Sequence, residues 1–523
     1  MLRRTILLSV VVAILPAAAP ARDTWRVDVG LAKRGLALAV SAQRLTPDDA
    51  ARYRGIVYRT EHALPRLNRY RYRDLAGVLH DVALRWRAYN AQNALTLFSM
   101  LDLNTRYLAQ HDPPTAGTDA IASDGIVYRE FPGQGFQFHP LANFGRLNAL
   151  VLAGDDRAVA LAQALVERGA RIGNRLRWEY GFTFEGARPP WVSGMAQAVA
   201  AQALARTAQK FDPTLLDAAR AAYRTVTAGL VQTTAGVPWI KIYSFSREAV
   251  LNAQLQTVIS LGDYATIAQD AGAQALADQL EQSSRTLLPR FDTGYWSLYA
   301  LGGPQANLNY HSYVVSLLAK LAARTKDPFW KNYADKFRAY MTEPPVLKPG
   351  PPTPPVYPTD AVRDTGLVRF WLSKPSHVTV TAAGAKVSLW LLGGWHRLPV
   401  RPKPLQPGDY PVSARAVDLA GNVTTEELAP LQLRRDTQPP VVSARLSGLT
   451  LVWRASDNVS SSLELRLRIF GSGAAMTLDL GRRPLRGSLR LRVPSGSWRA
   501  TLYAADTSGN TRRVPLGSLR SRG

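Results

Sequence analysis

Apolar residues change their spacing once along this chain, from helical spacing to strict alternation. In the first 343 residues they recur every three or four positions, which predicts helices over Leu75–Leu108, Leu141–Val166, Val192–Lys210, Ala249–Leu261 and Leu308–Ala323. Asp327-Pro328 predicts one more helix start, because it combines an N-cap with a proline at the first helical position. Paired helices with long aromatic loops between them favour an α/α toroid or a part of one.

Farther along, apolar and polar residues alternate, as they do in strands with one buried face. The clearest segments are Val368–Leu372, His377–Thr381, Leu463–Ile469 and Trp498–Ala504. A repeat accompanies them, because Ala416–Asn422 recurs 88 residues later as Ala504–Asn510, and each copy carries a D-x-x-G-N sequence. Aspartate can bond to its own backbone there and glycine accepts positive φ, so we predict a tight turn. The repeat predicts two tandem Ig-like β-sandwiches.

A proline-rich stretch separates the two patterns. Residues 344–358 include eight prolines, a composition typical of an extended, semi-rigid spacer. The predicted fold class is therefore multidomain, with an all-α, toroid-like domain followed by two all-β sandwiches. The predicted boundaries are 22–343 for the helical domain, 344–358 for the linker, and 359–437 and 438–523 for the sandwiches.

The first 21 residues are typical of a secretory signal peptide. Arg3 and Arg4 precede the apolar run Ile6–Leu15, and Ala19-Pro20-Ala21 provides a cleavage site of the A-x-A kind. The run is short for a membrane span, although an uncleaved anchor is the alternative. We therefore expect a secreted protein or one of the extracytoplasmic cell envelope.

The amino-acid composition excludes several kinds of site and reaction. The chain has no cysteine, which excludes disulfides, thiolate metal sites and redox chemistry at sulfur. Its seven histidines show no H-x-x-x-H spacing, so we expect neither a metal site nor a cofactor.

The net charge of +25 suits an acidic polymer as partner, although a high arginine content alone also produces such a charge. The basic residues are scattered rather than clustered, which argues against nucleic acid. Residues 351–523 hold 24 Lys and Arg against 11 Asp and Glu. The sandwiches could therefore hold an anionic envelope polymer, or act only as spacers.

Four segments of the helical domain resemble the C-terminal domain of the D-glucuronyl C5-epimerases, in the family's order and spacing. The resemblance spans about residues 125–342. The segments are Phe136–Asn148, Pro190–Gln197, Val250–Asn252 with Gly262–Tyr264, and Leu288–Gly294 followed by Asn309-Tyr310-His311.

The resemblance implies inversion at C5 of a uronic acid residue within a polysaccharide. The reaction removes the C5 proton from one face of the sugar and returns a proton to the other, through an enediolate. Such an enzyme needs a base, an acid and groups that hold the sugar carboxylate, without metal or nicotinamide. The partner that the resemblance implies is an acidic, uronate-containing polysaccharide.

The resemblance also assigns roles to residues. Tyr310 and, with a one-residue gap, Tyr243 fall on tyrosines that transfer protons in the family, and Tyr299 falls where a further active-site tyrosine stands. A nearby guanidinium would lower the pKa of these phenols. The expected substrate-binding residues are His139, Asn143, Arg146, Trp191, Gln197, Arg247, Asn252, Asn309 and His311. Packing remains open for the tyrosines and for Trp191, and helix capping for His139.

Two departures from the family pattern bear on the chemistry. Ile242 stands where the family has a glutamate that takes part in proton transfer, and the arginine that follows the position of Tyr299 is missing. Glu179 and Glu185 are the nearest replacements, and Glu179 joins the three tyrosines as a catalytic candidate.

The departures leave other functions open beside a uronosyl epimerase. A lyase shares the first proton abstraction, and a glycoside hydrolase would need two carboxylates about 5–10 Å apart. A non-catalytic binder of acidic cell-envelope polysaccharide would need neither an acid nor a base.

Overall fold

The computed structural model describes residues 24–358, 364–403, 406–471 and 474–521. The predicted signal peptide lies outside these residues. The chain divides into two compact units, the first ending at Ala339 and the second beginning at Tyr340.

The first unit is helical. Four short 3-10 helices, at Leu64–Arg66, Trp86–Ala88, Pro213–Leu215 and Leu288–Phe291, accompany the α-helices described. The α-helices are α1 (Thr24–Ser41), α2 (Pro47–Ala63), α3 (Arg69–Leu84), α4 (Ala91–Gln110), α5 (Pro140–Ala153), α6 (Arg157–Arg168), α7 (Gly194–Lys210), α8 (Leu216–Thr227), α9 (Leu251–Ala268), α10 (Ala271–Leu287), α11 (Leu308–Thr325) and α12 (Pro328–Tyr340).

These helices pack in two groups. Helices α1 to α4 pack against one another, and α5, α7, α9 and α11 form a row in which each helix packs on the next. Helices α6, α8 and α10 lie against α5, α7 and α9 respectively. The helix predicted after Asp327 is α12, and the Asp327 carboxylate accepts a hydrogen bond from the Phe329 amide at 2.8 Å.

Two of the predicted helical stretches are each divided in two. Asn90 and Asn93 exchange side-chain-to-backbone hydrogen bonds in a capping box that starts α4, so the stretch Leu75–Leu108 breaks between α3 and α4. Gly154, at φ 74°, ends α5 in the left-handed conformation, so the stretch Leu141–Val166 also holds two helices. Apolar spacing alone did not show these two helix boundaries, because the spacing continues on both sides of each cap.

Short hairpins connect the helices of the first unit. Strands β1 (Asp119–Ile121), β2 (Val127–Phe131) and β3 (Gly135–Phe138) form one antiparallel sheet. Strands β4 (Ala170–Ile172) and β5 (Arg175–Arg177) pair, as do β6 (Val231–Thr234) and β7 (Val237–Ile240).

The second unit consists of antiparallel strands. They are β8 (Leu347–Pro349), β9 (Gly366–Leu372), β10 (Ser376–Ala382), β11 (Ala385–Leu391), β12 (Gly394–Val400), β13 (Gly408–Asp418), β14 (Val423–Leu433), β15 (Val441–Ser447), β16 (Thr450–Ser456), β17 (Ser462–Gly471), β18 (Ala474–Pro484), β19 (Arg486–Arg490), β20 (Gly496–Ala505) and β21 (Thr511–Ser521).

The strands form the same pattern twice. A three-stranded sheet β12-β9-β8 and a four-stranded sheet β11-β10-β13-β14 share one hydrophobic cluster that includes Phe370, Val380 and Val412. Sheets β19-β16-β15 and β18-β17-β20-β21 repeat this order around a second cluster that includes Trp453, Leu465 and Leu502. The sequence repeat therefore corresponds to a structural repeat.

The proline-rich segment is part of this fold. Leu347–Pro349 forms β8, which pairs with β9, and Val356 forms a bridge with Leu433. Proline is tolerated at such an edge because one side of an edge strand needs no N–H donor. The segment predicted as a free spacer is thus packed against the strands that follow it.

The two D-x-x-G-N sequences form tight turns, as predicted. Asp418 accepts hydrogen bonds from the amides of Ala420 and Asn422, and Gly421 has φ 94°. Asp506 accepts the corresponding bonds from Ser508 and Asn510.

Each helix of the described residues is too short or too polar to span a bilayer.

Candidate functional site

A cavity lined mainly by aromatic side chains lies at one end of the helix row. It has about 600 Å³ of space, part of it open to solvent, and we call it the aromatic pocket. The residues that line it are Phe131, His139, Leu141, Tyr180, Phe182, Phe184, Trp191, Ser193, Met195, Ile242, Tyr243, Asn252, Tyr299 and Tyr310.

The amino-terminal turns of four helices meet at this pocket. Leu141 of α5, Met195 of α7, Asn252 of α9 and Tyr310 of α11 all lie within the first three residues of their helices. Side chains cap α5, α7 and α11, whereas Val250 offers α9 no such cap. Because helix amino termini carry partial positive charge, this end of the row favours an anionic ligand.

The three candidate tyrosines line this one pocket. Tyr299 and Tyr310 meet edge to face with ring centroids 4.7 Å apart. Tyr243 packs edge-on against Trp191 at 5.0 Å and Phe184 at 5.2 Å. The phenol groups are therefore close enough to influence one another's charge.

Burial dominates the acidity of these phenols. Desolvation raises the pKa of Tyr299 to about 12, although the neighbouring Tyr310 hydroxyl opposes the rise. Desolvation also raises the pKa of Tyr243 and of Tyr310 well above the ordinary range. The expected lowering of the pKa by a guanidinium is not found.

Two glutamates are the charged neighbours of the tyrosines. Glu185 and Glu248 both raise the pKa of Tyr299 and of Tyr310 through their negative charge. Burial and the Glu248 charge in turn raise the pKa of Glu185. Sequence reasoning weighed Glu185 as a replacement for the missing glutamate but did not find Glu248, which lies five residues after Tyr243.

Glu185 adopts an uncommon backbone conformation. Its φ is 49°, and Gly186 follows at φ 80°, between Phe184 and Ala187, which bond to each other's backbone. Two positive φ values in a two-residue loop are typical of a type I′ turn, in which glutamate is unfavourable. Such strain can mark a functional site, but Ala235 before Gly236 has the same conformation in another hairpin, so the charge of Glu185 near the tyrosines is the stronger observation.

His139 caps a helix while it lines the pocket. Its Nδ1 accepts a hydrogen bond from the Ala142 amide at 3.0 Å, at the start of α5. Burial, with a smaller effect of the Arg129 charge, lowers the pKa of His139 well below its ordinary value. The neutral ring must carry its hydrogen on Nε2, since Nδ1 is the acceptor. Both roles left open for His139 are thus compatible.

Asn252 and Trp191 also belong to the pocket wall. The Oδ1 atom of Asn252 is buried and has no hydrogen-bond partner among the described residues. Trp191 stacks on Tyr180 at 4.1 Å and donates from its indole nitrogen to the Phe182 carbonyl oxygen at 2.7 Å. Trp191 is thus firmly packed, whereas Asn252 keeps an acceptor available.

Three other expected substrate-binding residues hold the fold instead of lining the pocket. Asn143 exchanges two hydrogen bonds with the Val127 backbone, and Gln197 does the same with the Trp178 backbone. The His311 ring stacks on Trp296 at 3.8 Å and its nitrogens contact Ser297 Oγ and the Phe337 carbonyl. All three side chains are fully buried, so they position the walls of the site.

The remaining candidates lie apart from the aromatic pocket. Glu179 binds the guanidiniums of Arg85 at 3.0 Å and Arg177 at 2.6 Å, and it lines a different cavity. Its ionised carboxylate is therefore committed to these two cations. Arg247 and Asn309 are exposed, and Arg146 is half-buried. None of the three lines the aromatic pocket.

A second groove continues from the aromatic pocket along the helix row. It shares Leu141, Met195 and Asn252 with the pocket and has about 1220 Å³ of space, part of it open to solvent. Arg129 and Arg206 on its walls are each paired with an aspartate, and Lys320 adds a further positive charge. We call it the cationic groove.

The side chains of the groove are joined by hydrogen bonds. Asp263 accepts from Arg206 at 2.6 Å, from Gln202 at 2.6 Å and from Arg324 at 3.0 Å. Gly262 precedes Asp263, and a Cβ there would require the flexible Arg324 side chain to shift. Lys320 makes no hydrogen bond or ion pair with any residue that the structure describes, so its charge is not offset.

The comparison with protein families then agrees with this arrangement of residues. Residues 172–339 match the family described as D-glucuronyl C5-epimerase C-terminus. The match covers α7 to α11 and therefore all three tyrosines, whereas the segment Phe136–Asn148 lies upstream of it. The resemblance to the epimerase family is thus shown for α7, α9 and α11, three of the four helices that meet at the pocket. No curated protein matches the chain.

Solved structures resemble the chain only distantly. An endo-beta-1,4-glucanase from Acetobacter xylinum is 15% identical to this chain, with a TM-score of 0.28. The alignment covers 35% of this chain and 57% of the glucanase chain. Fibronectin(III)-like modules of CbhA from Clostridium thermocellum are 13% identical with a TM-score of 0.14, over 29% and 84%.

An immunoglobulin module is also among the neighbours. The Ig1-2 module of the Drosophila receptor protein tyrosine phosphatase DLAR is 14% identical with a TM-score of 0.15, over 35% of this chain and all of that one. Scores this low carry no argument about function.

Proposed function

We propose that the protein inverts C5 of uronic acid residues in a polysaccharide. The observation that carries the proposal is that Tyr243, Tyr299 and Tyr310 line one pocket and all lie within residues 172–339, which match the epimerase family. A sugar ring can stack on the aromatic walls of such a pocket.

We assign the proton abstraction to Tyr299 and Glu185. The Tyr299 oxygen accepts the C5 proton while its own phenolic proton passes to the Glu185 carboxylate, since Tyr299 has too high a pKa to serve as a free phenolate. The electron pair of the C–H bond moves into the sugar carboxylate and forms the enediolate. Tyr243 then donates its proton to C5 from the other face, and proton return from Glu185 to Tyr243 resets the site.

The amino terminus of α9 is the proposed binding position of the sugar carboxylate. Val250 leaves the first turn of α9 without a side-chain cap, and the Asn252 side chain and the His139 Nε2–H group line the same wall. Neutral donors and a helix terminus stabilise charge that develops on the enediolate without needing an arginine. This replaces the role of the arginine that is missing after Tyr299.

The cationic groove is the proposed path of the polymer on either side of the reacting residue. Its unpaired Lys320 and the net charge of +25 favour a chain of uronates. We further propose export by the signal peptide, an α/α toroid-like arrangement for the helical domain, and Ig-like sandwiches that carry envelope or spacer functions.

Deuterium exchange tests the proposal. The full chain is incubated with glucuronate-containing polymers in deuterated water, and label at C5 is measured by NMR. We expect incorporation in the wild type, loss in Tyr299→Phe, and no change in Tyr58→Phe, which alters an exposed tyrosine. Absence of label with every uronate polymer would contradict an epimerase. An ultraviolet-absorbing double bond would indicate a lyase, and new reducing ends without one a hydrolase.

Binding without turnover is the second candidate function. Ile242 lines the pocket at the position of the family glutamate, and all three phenols have raised pKa values. Both features weaken proton transfer and leave recognition intact. Calorimetric binding of a polyuronate with no C5 label would support this candidate.

A further inference from the structure

A second candidate site lies in the strand unit, far along the chain from the aromatic pocket. Asp436, Asp457 and Asp506 each direct a carboxylate oxygen to one point, and these three oxygens lie within 4.8 Å of one another. Asp436 follows β14, Asp457 lies between β16 and β17, and Asp506 begins the second D-x-x-G-N turn. Three loops therefore bring negative charge together.

Two of the three carboxylates lack partners for one oxygen. Asp436 and Asp506 are only 3% and 5% exposed, and both oxygens of Asp506 accept hydrogen bonds within its own turn. The Oδ2 atoms of Asp436 and Asp457 are buried, and neither accepts a hydrogen bond from any described residue. Buried carboxylate oxygens are normally paired or bound to a metal, because desolvation of an unpaired charge is costly. No positively charged side chain of the described residues is paired with these two oxygen atoms.

The first structural copy shows what such a position needs. There the Lys374 ammonium lies 3.0 Å from Asp418, the counterpart of Asp506, and both side chains are buried. Lys374 also donates to the carbonyl oxygens of Tyr340, at 2.5 Å, and of Glu343. Lys374 lies between β9 and β10, and the matching loop of the second copy carries Asp457. One copy has its own cation where the other has a further carboxylate.

The surroundings of the two positions correspond. Asn422 donates to the Met341 carbonyl at 2.8 Å in the first copy, and Asn510 donates to the Asp436 carbonyl at 3.1 Å in the second. The aspartates of the second copy are also fixed by their loops. Asp436 accepts from the Gln438 amide at 3.0 Å, and Asp457 from the Val459 amide at 3.0 Å. Each keeps its Oδ2 atom for another partner.

We propose that Asp436, Asp457 and Asp506 bind a calcium ion. Calcium prefers oxygen ligands at about 2.3–2.6 Å, so two ligands of one ion can be up to about 5 Å apart, which the 4.8 Å limit satisfies. The ion takes the place that the Lys374 ammonium holds in the first copy. It joins the segment before β15 to the loops at the ends of β16 and β20, and so stabilises the second copy.

Calorimetry on the full chain tests the site. Protein stripped with EDTA is titrated with CaCl2, and thermal unfolding is followed with and without the ion. We expect one ion per chain and a higher unfolding temperature for the strand unit. Asp457→Asn should weaken binding at least tenfold, while its retained Oδ1 atom can still accept from the Val459 amide. Asp479→Asn is the matched control, because Asp479 is an exposed residue of β18 that accepts from the Gly481 amide and lies outside the cluster.

A second variant follows from the first copy. Asp457→Lys should fold without calcium and no longer respond to it, since the new ammonium can replace the ion. No heat with CaCl2 up to about 10 mM, well above the range for extracellular modules, would overturn the site. An unchanged isotherm in Asp457→Asn would overturn the residue assignment, and equal affinity for MgCl2 would overturn the choice of calcium.

Discussion

The rings of Tyr299 and Tyr310 meet edge to face on the wall of the aromatic pocket, with their centroids 4.7 Å apart. The neighbouring Tyr310 opposes the rise in the pKa of Tyr299, whereas Tyr299 adds to the rise in the pKa of Tyr310. Tyr299 is therefore the better proton acceptor of the pair, and we propose that Tyr310 positions it. The negative charges of Glu185 and Glu248 raise the pKa of both phenols. This effect connects the two tyrosines with the carboxylate of the proposed proton relay.

The first prediction concerns the acid limb of the pH–rate profile. Exchange at C5 requires an ionised Glu185, so the rate should rise with pH through the raised pKa of this group. The Glu248 charge contributes to that rise, and Glu248→Gln should therefore move the acid limb to lower pH. The measurement is the rate of deuterium incorporation against pH. Glu185→Gln should lose exchange, and an unshifted limb in Glu248→Gln would remove the coupling from the mechanism.

A second prediction concerns a buried carboxyl pair outside the site. Burial and the neighbouring Asp74 carboxyl raise the pKa of Glu130. A raised pKa means that the folded state keeps a proton that the unfolded chain releases, so stability falls as pH rises above the ordinary range of glutamate.

Glu130→Gln should flatten this dependence and stabilise the protein at pH 8 by about 1–3 kcal/mol. Urea unfolding at pH 5 and pH 8, followed by helical circular dichroism, measures it. Glu61→Gln, in a partly exposed pair with Lys33, is the control and should leave the slope unchanged.

A third prediction compares a glycine that packs closely against backbone with one that has open space beside it. A Cβ at Gly194, the first residue of α7, would lie 2.6 Å from the Lys241 carbonyl oxygen, whereas one at Gly30 in α1 would meet nothing within 4 Å. Gly194→Ala should destabilise the helical unit by about 1–3 kcal/mol and disturb the pocket wall. Gly30→Ala should stabilise it by about 0.5–1 kcal/mol. Equal effects in thermal unfolding would contradict the close approach at Gly194.

A fourth prediction concerns the cationic groove. At about 5 Å in water-like surroundings one charge pair contributes about 0.8 kcal/mol, so Lys320→Gln should raise KM for a polyuronate roughly fourfold and leave kcat unchanged. The effect should shrink at high salt, because ions screen the attraction. Lys331→Gln, on the exposed face of α12, is the control. A loss of kcat with unchanged KM would place Lys320 in the chemistry instead of in polymer binding.

Local patterns were enough for much of the fold. Helical spacing and the Asp327-Pro328 start identified the helix row, and alternation identified four strands of the second unit. The repeat of the D-x-x-G-N turn predicted a structural repeat because the bonds of that turn lie within five residues. The resemblance to the epimerase family located the tyrosines by the same kind of short segment.

The sequence showed where residues of the site lie better than it showed what each of them does. Asn143, Gln197 and His311 belong to the motifs of the resemblance, yet their hydrogen bonds show that they hold the backbone. Glu179 lies one residue before Tyr180 of the pocket wall, but two arginines hold it in another cavity. A motif records that a residue is needed without showing which atoms it touches.

The sequence by itself determined the change from helices to strands, the repeat and the presence of candidate tyrosines, because those depend on neighbours a few residues apart. Only the tertiary structure decided that Glu185 and Glu248 raise the pKa of the tyrosines, that Glu130 lies beside Asp74, and that three aspartates converge in the second copy. These groups come from segments tens of residues apart. Their charges, burial and missing partners exist only once the chain has brought them together and excluded water.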